Sequence, residues 1–177
     1  MSDLKQNIKN HKKIISIYGL GNVGGAIAAS WLRAGSKVIG VDLSDKLLKD
    51  IKIGRSHKKE PFVSKVFSNA LKTKNLVLTK DGVNASKNSD IKIIVVPVAI
   101  TRTKTDLSNV ISVAQTISQG LKKGDAVVLS PSVPPGTTEE ILLPILERGS
   151  KLKGERDFSL IYNPERIFEG RAIQDIE

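Results

Sequence analysis

The stretch "KIISIYGLGNVGGAIAASWLRAGSKVIGVDLS", residues 13–44, decides the fold. An apolar run, 13–18, leads directly into Gly19, Gly21 and Gly24 in the pattern GxGxxG, and the segment 23–34 that follows is apolar at helical spacing. Strand, glycine turn and helix in that order give each glycine a separate task. Gly19 permits a tight turn, Gly21 removes the side chain that would stand against a pyrophosphate, and Gly24 lets the helix pack close to the strand. The backbone around Leu20, Asn22 and Val23 then presents amides to the phosphates at the helix N-terminus, where the helix dipole adds attraction. Asp42 ends the next apolar run, 23 residues after Gly19. Its carboxylate is expected to accept both adenosine ribose hydroxyls, at about 1.5–3 kcal/mol per charge-assisted bond, and to repel a 2′-phosphate. Leu43 and Ser44 follow it in place of an arginine, so NAD is expected over NADP. Lys46 either reaches the adenosine end or lies on a solvated helix face. The alternative for the three glycines is a tight turn in some other α/β protein, and the acid in register weighs against it.

Outward from this unit, short β-branched runs alternate with amphipathic segments. Strands are expected at 13–18, 37–41, 75–79, 91–96, 126–129 and 158–161, and helices at 23–34, 45–51, 61–72, 108–121 and 137–147. That alternation predicts an α/β, Rossmann-type doubly wound sheet, mostly parallel, with helices on both faces. The near-continuous apolar strands suit burial on both sides. Thr137, Thr138, Glu139 and Glu140 fit a capping box at the last helix. Residues 1–12 read as a basic tail, 13–177 as one dinucleotide-binding domain, and 149–155 as a connecting loop.

With 177 residues and 40% hydrophobic side chains, the chain can bury one sizeable core. It contains no cysteine, which excludes disulfides, thiolate metal sites and a cysteine nucleophile within these residues. The formal charge of +10 is dispersed: Lys5, Lys9, Lys12 and Lys13 mark the tail, and Lys52, Arg55, Lys58 and Lys59 a later segment. No aromatic residues interleave with them as a base-stacking platform requires, so a solvated surface is expected and nucleic acid is not. The longest apolar run, 93–100, is interrupted by Pro97 and falls well short of the ~20 residues that span a bilayer. A soluble, cytoplasmic protein with no membrane partner is expected. His11 and His57 have neither metal-ligand nor triad spacing and are expected at the surface; no metal site is read. Trp31 is expected to pack. Ser130, Ser132, Thr137 and Thr138 have no histidine base near them in sequence.

Three further stretches, "SHKKEP" (56–61), "SPSVPPGTTEEILLPIL" (130–146) and "NPERIFEGRAIQDI" (163–176), stand in an order and at separations that resemble the N-terminal region of the nucleotide-sugar 6-dehydrogenases, the family of UDP-glucose, UDP-N-acetylhexosamine and GDP-mannose dehydrogenases. The resemblance runs from about residue 13 to the last residue. It implies a four-electron oxidation of a sugar C6 hydroxyl to a carboxylate with two NAD molecules in succession, on a UDP-sugar, in a homodimer. A family cysteine attacks the aldehyde stage, hydride leaves the thiohemiacetal, and water hydrolyses the thioester. Ser132 stands where the family usually carries a threonine that bonds an active-site water or the cofactor. Glu165 matches a glutamate that assists proton transfer or water activation, and Glu169 matches a second glutamate near the nicotinamide and substrate. If that segment is helical, Glu165 and Glu169 share one face at about 6 Å between β-carbons, close enough to raise each other's pKa. The alternative is an exposed helix on which they pair with Arg166 or Arg171.

Some positions depart from the family pattern. Asn22 replaces a common aromatic, Gly25 stands where a larger residue is frequent, and Pro97-Val98 replaces Pro-Thr, leaving only backbone or packing contacts toward the nicotinamide. Arg166 in "NPER" leans toward the N-acetylhexosamine branch. The family's cysteine and its sugar-binding second domain lie downstream of the glutamate motif, so the chain is expected to be the N-terminal portion of a longer enzyme and inactive alone. The alternative is a stand-alone NAD-binding or sensing module.

Overall fold

The computed structural model of the chain describes residues 13–57, 61–100 and 104–165. Strand β1 (Ile14–Tyr18) enters the glycine turn, helix α1 (Asn22–Arg33) returns over one face, and β2 (Lys37–Val41) lies parallel to β1, with Ile14 beside Lys37 and Tyr18 beside Val41. Helix α1 stops where Gly35 takes a φ of 86°; its N–H donates to Leu32 O and the Ser36 N–H to Trp31 O, a Schellman turn. Helices α2 (Asp45–Lys52) and α3 (Pro61–Lys72) lead to β3 (Leu76–Thr79), and α4 (Gly82–Lys87) to β4 (Ile91–Ile94). A small antiparallel hairpin, β5 (Ala99–Ile100) with β6 (Thr105–Asp106), precedes α5 (Ser108–Ser118) and β7 (Ala126–Leu129). A π-helical stretch, Thr137–Leu142, runs into α6 (Leu143–Ser150), and β8 (Ser159–Tyr162) ends the sheet.

The main sheet has the order β3-β2-β1-β4-β7-β8, and every pairing in it is parallel. After β3 the chain crosses back to the far flank of β1. The loops leaving β1 and β4 therefore diverge, and a crevice opens at their C-terminal ends. Alternation along each strand feeds two cores. Ile15 and Ile17 pack with Ala26, Val63 and Phe67 on the α1 and α3 side, whereas Tyr18 and Ile94 pack with Val110, Ile117 and Leu146 on the α5 and α6 side. Each fully buried Ile or Leu contributes about 1.5–3 kcal/mol. Trp31, half-buried, packs against the first core, as its position on α1 predicts.

Four elements differ from expectation. α4 has only six residues, too few to show a period, and the two-residue strands β5 and β6 carry no alternation. The capping box is not formed: Gly136 is the N-cap with φ 82° and no side-chain cap, and the Thr137 hydroxyl donates to Pro134 O at 2.7 Å. The π-helical turn has a local cause. Pro144 has no N–H to give the preceding turn, and Leu143 donates five residues back, to Thr138 O.

The N-terminal ends of the strands are closed by ion pairs. The Lys92 ammonium, fully buried, donates to the Asp125 carboxylate and to Ser89 O at 2.6 Å. Burial pulls Lys92 down to about 8, with Asp125 opposing the shift. Asp125 also accepts the Lys122 N–H at 2.7 Å. Beside them Asp90 accepts the Ile14 N–H at 2.9 Å and pairs with Lys13 at 3.2 Å.

Candidate functional site

At the opposite end of the sheet lies a cleft of about 600 Å³. Three glycines shape its floor for different reasons. Gly19 takes φ 97°, and a Cβ there would stand 2.6 Å from Val95 O; at Gly24 it would stand 1.9 Å from Gly19 O. Those two are demanded by the chain itself. A Cβ on Gly21 meets nothing within 4 Å. Its bareness leaves a cradle of the kind a pyrophosphate fills, so the residues present fit a dinucleotide. Gly21 is also the N-cap of α1, which has no side-chain cap and no acid in its first turn, so the helix brings no acid of its own to its positive end at the cleft.

Asp42 lines the same cleft, and its carboxylate spans two turns: Oδ2 accepts the Leu20 N–H at 2.9 Å and Oδ1 the Ser44 N–H at 2.9 Å. Each oxygen keeps a further acceptor site, because a carboxylate offers about four. The other wall is apolar, from Val95 to Val98 and Ile100, at the end of β4. Ser132 and Glu165 complete the rim. They are brought there by backbone bonds that tie the segment after β8 to the loop after β7: Asn163 N–H to Leu129 O at 2.9 Å and Glu165 N–H to Ser130 O at 3.1 Å. The Val133 N–H adds a longer bond to the Tyr162 hydroxyl at 3.4 Å.

Of the residues expected at the site, Gly19, Gly21, Asn22, Val23, Gly24, Asp42, Pro97, Val98, Ser132 and Glu165 line this cleft. Leu20 does not: its side chain is fully buried in the first core, and only its backbone belongs to the turn. Lys46 does not either; it lies exposed on α2, and its neighbour Leu47 faces the cleft instead. Glu169, with Arg166 and Arg171, lies outside the described residues, as do His11 and the tail.

Two features escaped sequence reasoning. A second cavity of about 320 Å³ adjoins the first across Gly19, Asp42 and Pro97, and is bounded by Leu43, Lys80 and Thr116. Leu43, 78% exposed directly after Asp42, was its one local signal. The other is His57. Expected at the surface, it is only 8% exposed, and its Nε2 lies 2.8 Å from Leu20 O and 3.2 Å from Gly21 O. Packing under α1 against Phe67 of α3, non-local in sequence, is what buries it.

A glycine turn after the first strand, an acid closing the second and a crevice at the switch point together describe a nucleotide-binding α/β domain. The sequence model of the UDP-glucose/GDP-mannose dehydrogenase family, NAD binding domain, matches residues 13–177. The chain belongs to that family.

It is an NAD-binding domain of a family of oxidoreductases. It is 30% identical over 162 residues to the UDP-N-acetyl-D-mannosamine dehydrogenase of Pyrococcus horikoshii, and 32% identical over 167 residues to the GDP-mannose 6-dehydrogenase of Pseudomonas syringae pv. tomato. Each alignment takes 92% of this chain and 38% of the relative. The chain thus spans well under half the length of these relatives. Among solved structures, GDP-mannose dehydrogenase from Pseudomonas aeruginosa, in a ternary complex, superposes with a TM-score of 0.86 at 32% identity, covering 92% of this chain and 38% of that one. The Rossmann-type doubly wound fold read from the sequence is therefore the fold observed. No helix among the described residues is long and apolar enough to cross a membrane.

Proposed function

We propose that this chain is the NAD-holding portion of an enzyme that oxidises the C6 hydroxyl of a nucleotide sugar, a UDP-sugar by its sequence leaning, to a carboxylate. The observation that carries the reading is the meeting, at one crevice, of the bare Gly21 turn and Asp42 with Ser132 and Glu165. In this reading the amides opening α1 hold the pyrophosphate. Asp42 uses its remaining acceptor sites for the adenosine ribose hydroxyls, and the cavity beside Leu43 and Thr116 takes the adenine. NAD, held so, supplies the hydride acceptor for each of two successive oxidations.

The chain's own side chains then have distinct tasks. Ser132 holds a water or a cofactor group at the rim through its hydroxyl. Glu165 takes the proton from the water that hydrolyses the acyl stage, with Glu169 as the second acid. Pro97 and Val98 exclude water by packing and offer no hydroxyl. The acyl stage implied by the resemblance forms on a cysteine, and these 177 residues contain none. The division of labour that follows is cofactor binding here, and sugar binding, thiol chemistry and most dimer contacts on a further segment, in the cytoplasm.

Calorimetric titration with NAD, followed by nicotinamide absorbance with UDP-glucose, UDP-N-acetylmannosamine and GDP-mannose, tests this. Saturable NAD binding without reduction is expected. Turnover by the chain alone would overturn the division of labour, and absence of NAD binding would overturn the site.

A further inference from the structure

We propose that His57 is a positioning residue for dinucleotide binding: it clamps the glycine turn from behind and thereby aims the turn's amides into the cleft. The inference rests on the NAD reading above and adds a residue to it that lines neither cavity.

The geometry is as follows. Both neighbours of His57 Nε2, Leu20 O at 2.8 Å and Gly21 O at 3.2 Å, are carbonyl oxygens that can only accept. Nε2 therefore carries the proton. In the neutral ring, Nδ1 then accepts from the Ser56 hydroxyl, 2.8 Å away. The described chain has no cis peptide bond, and in a trans peptide the C=O and the following N–H point in opposite directions. Holding Leu20 C=O against His57 accordingly turns the Gly21 N–H away from it, toward the side on which Gly21 and Asn22 line the cleft, and the Gly21 C=O, which His57 shares with the Gly25 N–H at 2.7 Å, sets the Asn22 N–H in the same way.

The clamp is itself held at some cost. His57 adopts φ 54°, a left-handed conformation that non-glycine residues rarely take and that persists where surrounding contacts enforce it. Those contacts come from α3: Phe67 meets the imidazole edge to face at 5.5 Å, and the Ser64 hydroxyl donates to Ser56 O. Space for the ring comes from α1. A Cβ on Gly25 would fall 2.3 Å from Nε2 and 2.7 Å from Cδ2 of the rigid imidazole. Gly25 does not line the cleft, so its bareness serves the histidine rather than the ligand.

Affinities of the whole chain for NAD, ADP-ribose and adenosine, measured in wild type, His57→Phe, His57→Gln and Gly25→Ala, test the clamp. His57→Phe keeps a planar ring and loses the donor; Gly25→Ala keeps the histidine and displaces it. Both should weaken NAD and ADP-ribose about tenfold while leaving adenosine within about twofold, and His57→Gln, whose amide nitrogen reaches the Nε2 position, should recover to within about threefold. NAD binding at wild-type strength in His57→Phe and Gly25→Ala overturns the proposal. So does equal weakening of adenosine and NAD, the mark of a merely structural residue. Should the variants not fold, the wild-type ring Nε2–H resonance decides: it should shift on adding NAD or ADP-ribose and not on adding adenosine, and a resonance indifferent to all three contradicts the clamp. A wild-type chain that fails to bind NAD contradicts the cofactor reading instead.

Discussion

The two ends of the sheet treat their polar groups in opposite ways. At the N-terminal end, the Lys92 ammonium, the Asp125 carboxylate and the Ser89 carbonyl satisfy one another inside the protein. At the C-terminal end, Gly21 leaves a Cβ-sized space empty, α1 starts without a side-chain cap, and Asp42 spends part of its acceptor capacity on Leu20 and Ser44 while facing a 600 Å³ cleft. The first arrangement is complete without any partner. The second, in the proposed reading, is completed by a ligand that brings phosphates and hydroxyls. The same strands connect the two, so substitutions at the closed end should change stability and not binding, whereas the open end mixes residues the chain itself needs, Gly19 and Gly24, with residues that face the ligand, Gly21 and Asp42.

The largest expected effect lies at the closed end. Asp125→Ala leaves the Lys92 charge buried and the Lys122 N–H without its acceptor, and should lower the unfolding free energy by about 3–5 kcal/mol in urea titration. The folded fraction should still bind NAD with wild-type affinity, and a parallel fall in affinity would break the contrast. Next, Gly24→Ala places a methyl against the Gly19 carbonyl and should cost about 1–3 kcal/mol or more of stability, read as a lowered thermal midpoint. Third, Asp42→Ala should weaken NAD about ten- to hundredfold, the value of one charge-assisted bond, with only a modest stability change; a calorimetric affinity within twofold of wild type would mean the carboxylate serves the turn alone. The smallest effect concerns Asp90. Burial raises its carboxyl, but the Ile14 amide and the Lys13 ammonium outweigh that and hold it below the ordinary range. A depressed acid contributes stability above its unfolded pKa and loses it as pH falls through the folded value. Between about pH 5 and pH 3 the wild type should therefore lose stability that Asp90→Asn does not, compared by urea unfolding at both pH values.

What could be read from the sequence was what is local. Gly19, Gly21, Gly24 and Asp42 carry their meaning in spacing along one strand–turn–helix–strand unit, and the parallel order followed from alternation. Boundaries moved where a few residues decide: β4 stops at Ile94, before Pro97, and Pro144 opens a π turn within an expected α-helix. The remainder depends on distant contacts. His57 and Leu20 are 37 positions apart, and neither residue announces the other. Gly25 was visible only as a departure from the family pattern, and the imidazole beneath it supplies the reason. Lys80 and Thr116 reach the second cavity from the bend after β3 and from α5 and have no motif. Of the two readings of Lys46, the structure shows the exposed face of α2, because the helix starts at Asp45, after Asp42, and turns Leu47 to the cleft.

In the proposed reading the turn at Gly21 is bare for a ligand's sake and not for the chain's. Gly21→Ala tests it in one calorimetric titration with NAD, read beside the variant's thermal midpoint. The prediction is a midpoint equal to wild type with affinity reduced at least about tenfold. Wild-type affinity in a folded Gly21→Ala chain would contradict the claim.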